Sequence, residues 1–358
     1  MKIEKSNISP SQLTFLIISL IQATTFTDIF IIEITKQNAW IVTIVGFIIT
    51  LFLLSIYTSL SNKFPGKDLI EIHDIVYGKY LGKALSLLYI FFFWFPILAD
   101  LRFIADFFAT YLFPKIDIII FISIIVIVTM YAVKKGLQTI ARLSTIIALI
   151  TLISFVFFSI FTIKDLYISN LLPIFELNLR DFIQGLNIVV TIPFGEIILF
   201  IMLFPYTNPK SSIKKYSFLG LSIGALYCLI VIIRNVLVLG NITPIHVFQI
   251  YQVAKLINVG DIIVRTEVLI ALIILFDIFV KICIYYLTAL LAITQFLKLN
   301  SYKPLIIPFG IITIVLSITL FDSEVYEYYI ASNIYPIFGI PFIIIFPIIS
   351  FIIACIKK

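Results

Sequence analysis

Ten charged residues sit inside stretches that otherwise read as hydrocarbon: Asp28, Asp100, Arg102, Asp106, Glu196, Arg234, Arg265, Glu267, Asp277 and Lys281. A charge at the middle of a bilayer costs roughly 3 kcal/mol even on the mildest scales, so each needs a partner or a task. The sharpest arrangement is Pro193-Phe194-Gly195-Glu196. Pro193 removes a backbone donor and clashes with the preceding turn, and Gly195 tolerates the dihedral angles of a broken helix. Amides and carbonyls freed at membrane depth persist only where they line a protein cavity or a ligand, and Glu196 adds a titratable carboxylate beside them. Thr24, Thr25 and Thr27 before Asp28 form a second polar interruption. Their hydroxyls can face a pocket or bond carbonyls of their own helix. Asp277 and Lys281 are four apart, one turn on a shared face, and can neutralise each other; the same spacing joins Arg102 to Asp106 and leaves Asp100 without a local partner. Arg234, Arg265 and Glu267 fall near the ends of their stretches, where snorkelling is cheap, and read as an outer charge network. The expected ligand-binding set is therefore Thr24, Thr25, Asp28, Asp100, Pro193, Phe194, Gly195, Glu196 and Asp277, around a cavity beside the 193 to 196 run. Gly195→Ala is expected to alter specificity there without reducing the amount of protein.

Other chemistry has little to work with. There are two histidines, His73 and His246, both in expected loops, and three cysteines, Cys228, Cys283 and Cys355, without paired spacing. That argues against a metal centre, haem or other cofactor. No phosphate-binding glycine loop or nucleophile elbow is present, so no catalytic residues are assigned and an enzyme is not expected. The run Phe91-Phe92-Phe93-Trp94-Phe95 covers every face of a helical turn and reads as packing.

The elements that must position these residues are membrane helices. Hydrophobic residues make up 62% of the 358 and charged ones 12%, which excludes a water-soluble core and leaves the net charge of +6 to membrane loops rather than nucleic acid. Ten apolar spans follow, at about residues 12 to 33, 39 to 61, 85 to 112, 117 to 134, 142 to 163, 184 to 206, 216 to 240, 262 to 290, 304 to 321 and 335 to 356. They form one polytopic domain over residues 1–358, an all-α membrane protein whose first span is expected to be retained. Sixteen Lys and Arg fall in the loops on the side of the termini, against Lys36, Lys115, Lys164, Arg180 and Lys255 on the other, which places both termini in the cytoplasm. Asp322, Glu324 and Glu327 then crowd the last outer loop. Residues 62–84 and 241–261 carry amphipathic patterns suited to surface helices. Ten spans divide into five plus five, and an odd half inserts upside down, as in inverted-repeat transporters. Spans 1 and 6 then correspond, each interrupted by hydroxyls and ending in a carboxylate, as do spans 3 and 8 with Asp100 and Asp277.

A series of short motifs runs along nearly the whole chain: Ile8-Ser9-Pro10-Ser11-Gln12, Gln37-Asn38-Ala39-Trp40, Gly78-Lys79-Tyr80-Leu81-Gly82-Lys83, Leu101-Arg102-Phe103, Gly136-Leu137-Gln138-Thr139-Ile140-Ala141-Arg142, Leu171-Leu172-Pro173, Pro193-Phe194-Gly195-Glu196 with Pro205, and Arg265-Thr266-Glu267. In this order they resemble the spore germination permeases, the B subunits of nutrient germinant receptors, within the amino acid, polyamine and organocation transporter superfamily. The resemblance implies a ten-helix inverted-repeat fold, a pocket between spans 1, 3, 6 and 8, and residence in the spore inner membrane. It also implies a complex with a larger A subunit and a lipoprotein C subunit, in which a small nutrient such as an amino acid biases a conformational equilibrium. One departure stands out: span 1 contains no glycine where relatives unwind, and offers Thr24, Thr25 and Thr27 instead. The alternative function is a proton-coupled amino acid or organic-cation permease, with Glu196 or Asp277 carrying the proton.

Overall fold

Helix α1 (Pro10–Ala23) begins with a reciprocal cap: the Gln12 amide donates to the Ser9 hydroxyl (3.2 Å), the Ser9 amide donates to the Gln12 side chain (2.9 Å), and Pro10 occupies the first turn. The Ser9-Pro10-Ser11-Gln12 motif is thus a helix start. The computed structural model describes residue 4 and residues 7–245, 248–256 and 266–357, and among them the regular structure is helical apart from one parallel bridge between Ile8 and Thr207. Lys2, Lys5, His246, Arg265 and Lys358 lie outside the described residues, so the Arg265-Thr266-Glu267 motif is seen only from Thr266 onward.

After α1 come a 3₁₀ turn at Thr25–Thr27, α2 (Asp28–Thr35) and α3 (Ala39–Lys63). Helix α4 (Leu69–Tyr111) opens on a second reciprocal cap between Asp68 and Glu71 and bends at Gly78, whose φ of 81° suits glycine. The surface helix expected in residues 62–84 is its first segment. Leu69, Ile70, Ile72 and Val76 are buried as the pattern requires, whereas Leu81 is 69% exposed. His73, read as a loop residue, is instead a buried helical one with its ring 4.9 Å from that of Tyr89.

Helices α5 (Ile118–Lys135), α6 (Leu137–Thr162), α7 (Leu179–Thr191), α8 (Ile213–Leu239), α9 (Gln249–Leu256), α10 (Thr266–Phe296) and α11 (Ile306–Thr319) follow. The chain closes with α12 (Glu324–Tyr329), α13 (Tyr335–Ile340) and α14 (Phe346–Ile356), joined by π-helical turns at Ile330–Ile334 and Pro341–Ile345. In the second amphipathic stretch the described residues form a 3₁₀ turn at Gly240–Ile245 and α9.

The chain is a multi-span membrane protein. The described residues contain eight helical segments long and apolar enough to cross a bilayer, among them the 54-residue run Pro10–Lys63; the apolar helix Lys303–Thr319 is shorter. All-helical backbone is what hydrocarbon demands, since each helix satisfies its own amides and carbonyls. The centre of the bundle is α1 and α10, against which α4, α6 and α8 pack. Gly220 and Gly224 let α8 approach α1 closely: a Cβ at Gly224 would lie 2.7 Å from Ile21 Cδ1, and one at Gly220 2.9 Å from the Thr14 carbonyl. Outer helices present isoleucines such as Ile124, Ile127, Ile150 and Ile153, each more than half exposed, as a lipid-facing surface. Cys228 and Cys283 are buried and Cys355 is exposed.

Candidate ligand-binding site

Two helices break at the middle of the bundle. The first break follows Ala23, and its three threonines bond their own chain: the hydroxyls of Thr24, Thr25 and Thr27 donate to the carbonyls of Ile21 (2.6 Å), Gln22 (2.7 Å) and Thr24 (2.6 Å). A glycine-free span 1 is therefore interrupted all the same. The second break follows Thr191: α7 ends, residues 192–194 form turns, and Gly195–Met202 continues as an unusually long 3₁₀ stretch. The break expected around Pro193 and Gly195 is present. Gly195 is required there for space, because a Cβ would run into the Val190 carbonyl and come within 2.8 Å of Ile343 Cγ2.

Glu196, fixed by that break, meets two residues from other helices. The Lys281 ammonium of α10 lies 3.1 Å from Glu196 Oε2 and 3.1 Å from Asp100 Oδ2 of α4. All three side chains are buried, so one cation serves two carboxylates away from water. This corrects the local pairing expected for Lys281. Although one turn away, Asp277 points to α6, where its Oδ1 accepts from the Thr151 hydroxyl (2.8 Å). The other expected pair does form: Arg102 Nε donates to Asp106 (2.7 Å), and Arg102 Nη1 reaches the Phe321 carbonyl (2.9 Å), tying α4 to the chain beyond α11.

The candidate residues divide between two small cavities. One, of about 40 Å³, is lined by Asp100, Glu196 and Lys281 with Phe26, Phe30, Phe103, Ile192 and Tyr335. The other, of about 30 Å³, is lined by Gln22, Thr25, Thr151, Tyr227, Arg234 and Asp277. Phe26 belongs to both walls. Each holds little more than a water molecule, so the site is closed in this conformation. Thr24, Asp28, Pro193, Phe194 and Gly195 line neither cavity. Phe194 instead faces Phe47 at 6.2 Å, and Asp28 receives a long contact from the Cys228 thiol (3.9 Å).

Sequence reasoning missed two members of this centre. Arg234, assigned to an outer network, is buried with its guanidinium 5.1 Å from the Phe155 ring centroid. Glu327, counted with the outer acids, is 2% exposed and lines the larger cavity. The available signal was the apolar Tyr328-Tyr329-Ile330-Ala331 sequence after it, which starts the last helix earlier than position 335.

Two broken helices crossing around a closed polar centre are features of a transporter fold, and solved structures agree. Mhp1, a nucleobase-cation-symport-1 family transporter captured closed with bromovinylhydantoin bound, is similar with a TM-score of 0.66 at 14% identity, over 92% of this chain and 75% of its own. A manganese transporter from Eremococcus coleocola, in one mutant form, is similar with a TM-score of 0.58 at 13% identity, over 97% and 85%.

The particular family follows from sequence. Residues 7–326 match the spore permease family of spore germination proteins, and the chain belongs to it. It is 26% identical to spore germination protein KB of Bacillus subtilis (strain 168) over 363 residues, 99% of this chain and 96% of the relative. The putative spore germination protein YfkT of the same organism is 25% identical over 245 residues, 68% and 66% of the two chains.

Proposed function

We propose that this chain is the nutrient-sensing membrane subunit of a spore germination receptor. In this reading it crosses the spore inner membrane ten times as a five-plus-five inverted repeat, with both termini in the cytoplasm. It binds a small molecule such as an amino acid and signals through a larger A subunit and a lipoprotein C subunit. The observation that carries the reading is the buried meeting of Lys281, Asp100 and Glu196 beside the break at Thr191. Such a centre is sensitive to any charged group that enters, and a cavity of about 40 Å³ requires the protein to open before one can. Ligand binding is thereby linked to a change of shape, and a ligand shifts such an equilibrium by its differential affinity for the two shapes. The role is binding and conformational change rather than catalysis.

A proton-coupled permease is the second reading, supported by the transporter fold and by two buried carboxylates, Glu196 and Asp277, on different helices. Deleting this chain in a strain whose only receptor contains it should abolish the nutrient response and spare receptor-independent germination. A normal response after deletion would sink the sensing role. Substrate uptake by the purified chain in vesicles would favour the permease.

A further inference from the structure

A much larger space lies on the flank of the bundle. A groove of about 1300 Å³ runs between α7 and the segment from Tyr329 to Ile344, with Ile49 of α3 also in its lining. The two walls run side by side in the same direction: Gln184 Nε2 donates to Asn333 Oδ1 (3.5 Å), and further along a Cβ on Gly339 would lie 3.3 Å from Thr191 Cγ2. Arg180, Gln184 and Asn187 recur at helical spacing on the α7 wall, so its polar groups cover about 10 Å of depth, starting from Arg180. On the facing wall Asn333 Nδ2 donates to Ser332 Oγ (2.8 Å). Beyond these groups the lining turns apolar, through Ile337, Ile340 and Ile344. Leu179, Ile183 and Ile337 are each more than half exposed, so the groove opens toward lipid rather than into the bundle.

That order of chemistry, cation first, amides next and hydrocarbon last, is the complement of an anionic amphiphile. Arg180 is the one charged side chain in the described lining, and a guanidinium presents paired donors suited to phosphate. Basic pockets between membrane helices hold anionic headgroups on this principle. A membrane helix fits less well, because helices approach one another over glycine, alanine and similar small residues, and Ser332 is the only such residue in the described lining. We propose that the groove holds one anionic phospholipid and that this lipid braces the wall of the closed central cavity. Its phosphate sits on Arg180, its ester region beside Gln184 and Asn187, and its acyl chains along the isoleucines. A zwitterionic headgroup adds an ammonium for which the described lining offers no carboxylate. The bracing follows from a shared segment: Ser332 and Pro336 line the groove, while Ala331 and Tyr335 line the cavity of Asp100, Glu196 and Lys281.

Lipid binding to the purified, delipidated full-length chain, read by native mass spectrometry, tests the site. The probes are dioleoyl phosphatidylglycerol, dioleoyl phosphatidylcholine and glycerol 3-phosphate. Phosphatidylglycerol should bind at least about 10-fold more tightly than phosphatidylcholine, and Arg180→Gln should lower its affinity about 10-fold and bring the two lipids level. Ile337→Trp, which fills the apolar trough from an exposed position, should weaken both lipids. In a chain with Cys355 replaced, bound phosphatidylglycerol should slow thiol labelling of Ala331→Cys several-fold, and this protection should be lost when Arg180→Gln is added. Equal affinity for the two lipids, unchanged phosphatidylglycerol affinity in Arg180→Gln, or displacement of the lipid by glycerol 3-phosphate at matched concentration overturns the site. Ile337→Cys carrying a photoreactive tag should yield a lipid adduct in native membranes; a protein adduct in its place assigns the groove to a partner helix and overturns the site as well. Labelling of Ala331→Cys that is indifferent to bound lipid overturns the brace.

Discussion

Lys281 stands one helical turn from Asp277, yet its ammonium pairs with Asp100, 181 positions earlier in the chain. The pairing joins α10 to α4, and through Glu196 it also fastens the 3₁₀ stretch after the second break. Removing one partner of such a centre leaves charge buried without compensation. Lys281→Met should therefore destabilise the fold by roughly 3 to 5 kcal/mol, read as less folded chain recovered from membranes. Adding Asp100→Asn should restore part of the loss. Full recovery of the single variant would show that the ion pairs contribute little.

Gly195→Ala should behave differently from the expectation drawn from sequence. The added methyl meets the Val190 carbonyl and the Ile343 side chain, so abundance and thermal stability should both fall. Glu196→Gln keeps shape and should retain abundance while raising the nutrient concentration for half response. An abundant Gly195→Ala protein would mean that this joint opens more easily than its packing implies.

Orientation can be read by labelling. With the termini inside, Asp322→Cys should react with an impermeant thiol reagent from outside and Lys79→Cys only after membrane disruption, both sites being exposed. The native Cys355, also exposed, has to be replaced first. The opposite labelling pattern would invert the topology.

Asp68, in the turn before α4, gives a pH dependence. Burial pushes its carboxyl up to about 7, with hydrogen bonds from the Glu71 and Ile70 amides acting against the rise. Because the folded value lies above the ordinary 3.8, its contribution is complete below that pH and is lost as pH rises through about 7. Asp68→Asn keeps a capping oxygen and should flatten this part of the stability profile. The comparison is of melting curves across that interval, and identical profiles would show that Asp68 is not the group responsible.

What could be read from sequence was local. Hydropathy located the helices, and Pro193 with Gly195 located a break that α7 and the 3₁₀ stretch reproduce. The i to i+4 rule worked for Arg102 and Asp106 because Arg102, held by carbonyls at and beyond the end of α11, keeps its Nε on Asp106 one turn away. It failed for Lys281 because α4 and the 3₁₀ stretch each bring a carboxylate to the lysine, Asp100 and Glu196, while α6 offers Asp277 a hydroxyl, and neither packing is written in the spacing. Several family-like motifs proved to be joints. Gln37 donates to the Pro173 carbonyl (3.1 Å) and Asn38 accepts from the Phe175 amide (2.9 Å), so two motifs far apart in sequence clasp each other. Glu327 was hidden because charge alone made it look like a loop residue.

The threonine joint of the first helix has a thermodynamic corollary. A glycine hinge leaves carbonyls open that an ion, a water or a ligand must satisfy, whereas Thr24, Thr25 and Thr27 carry the donors for that task in their own side chains. The break in the first helix is thus closed by its own side chains, and any rearrangement that opens it must first give up three hydrogen bonds within the chain.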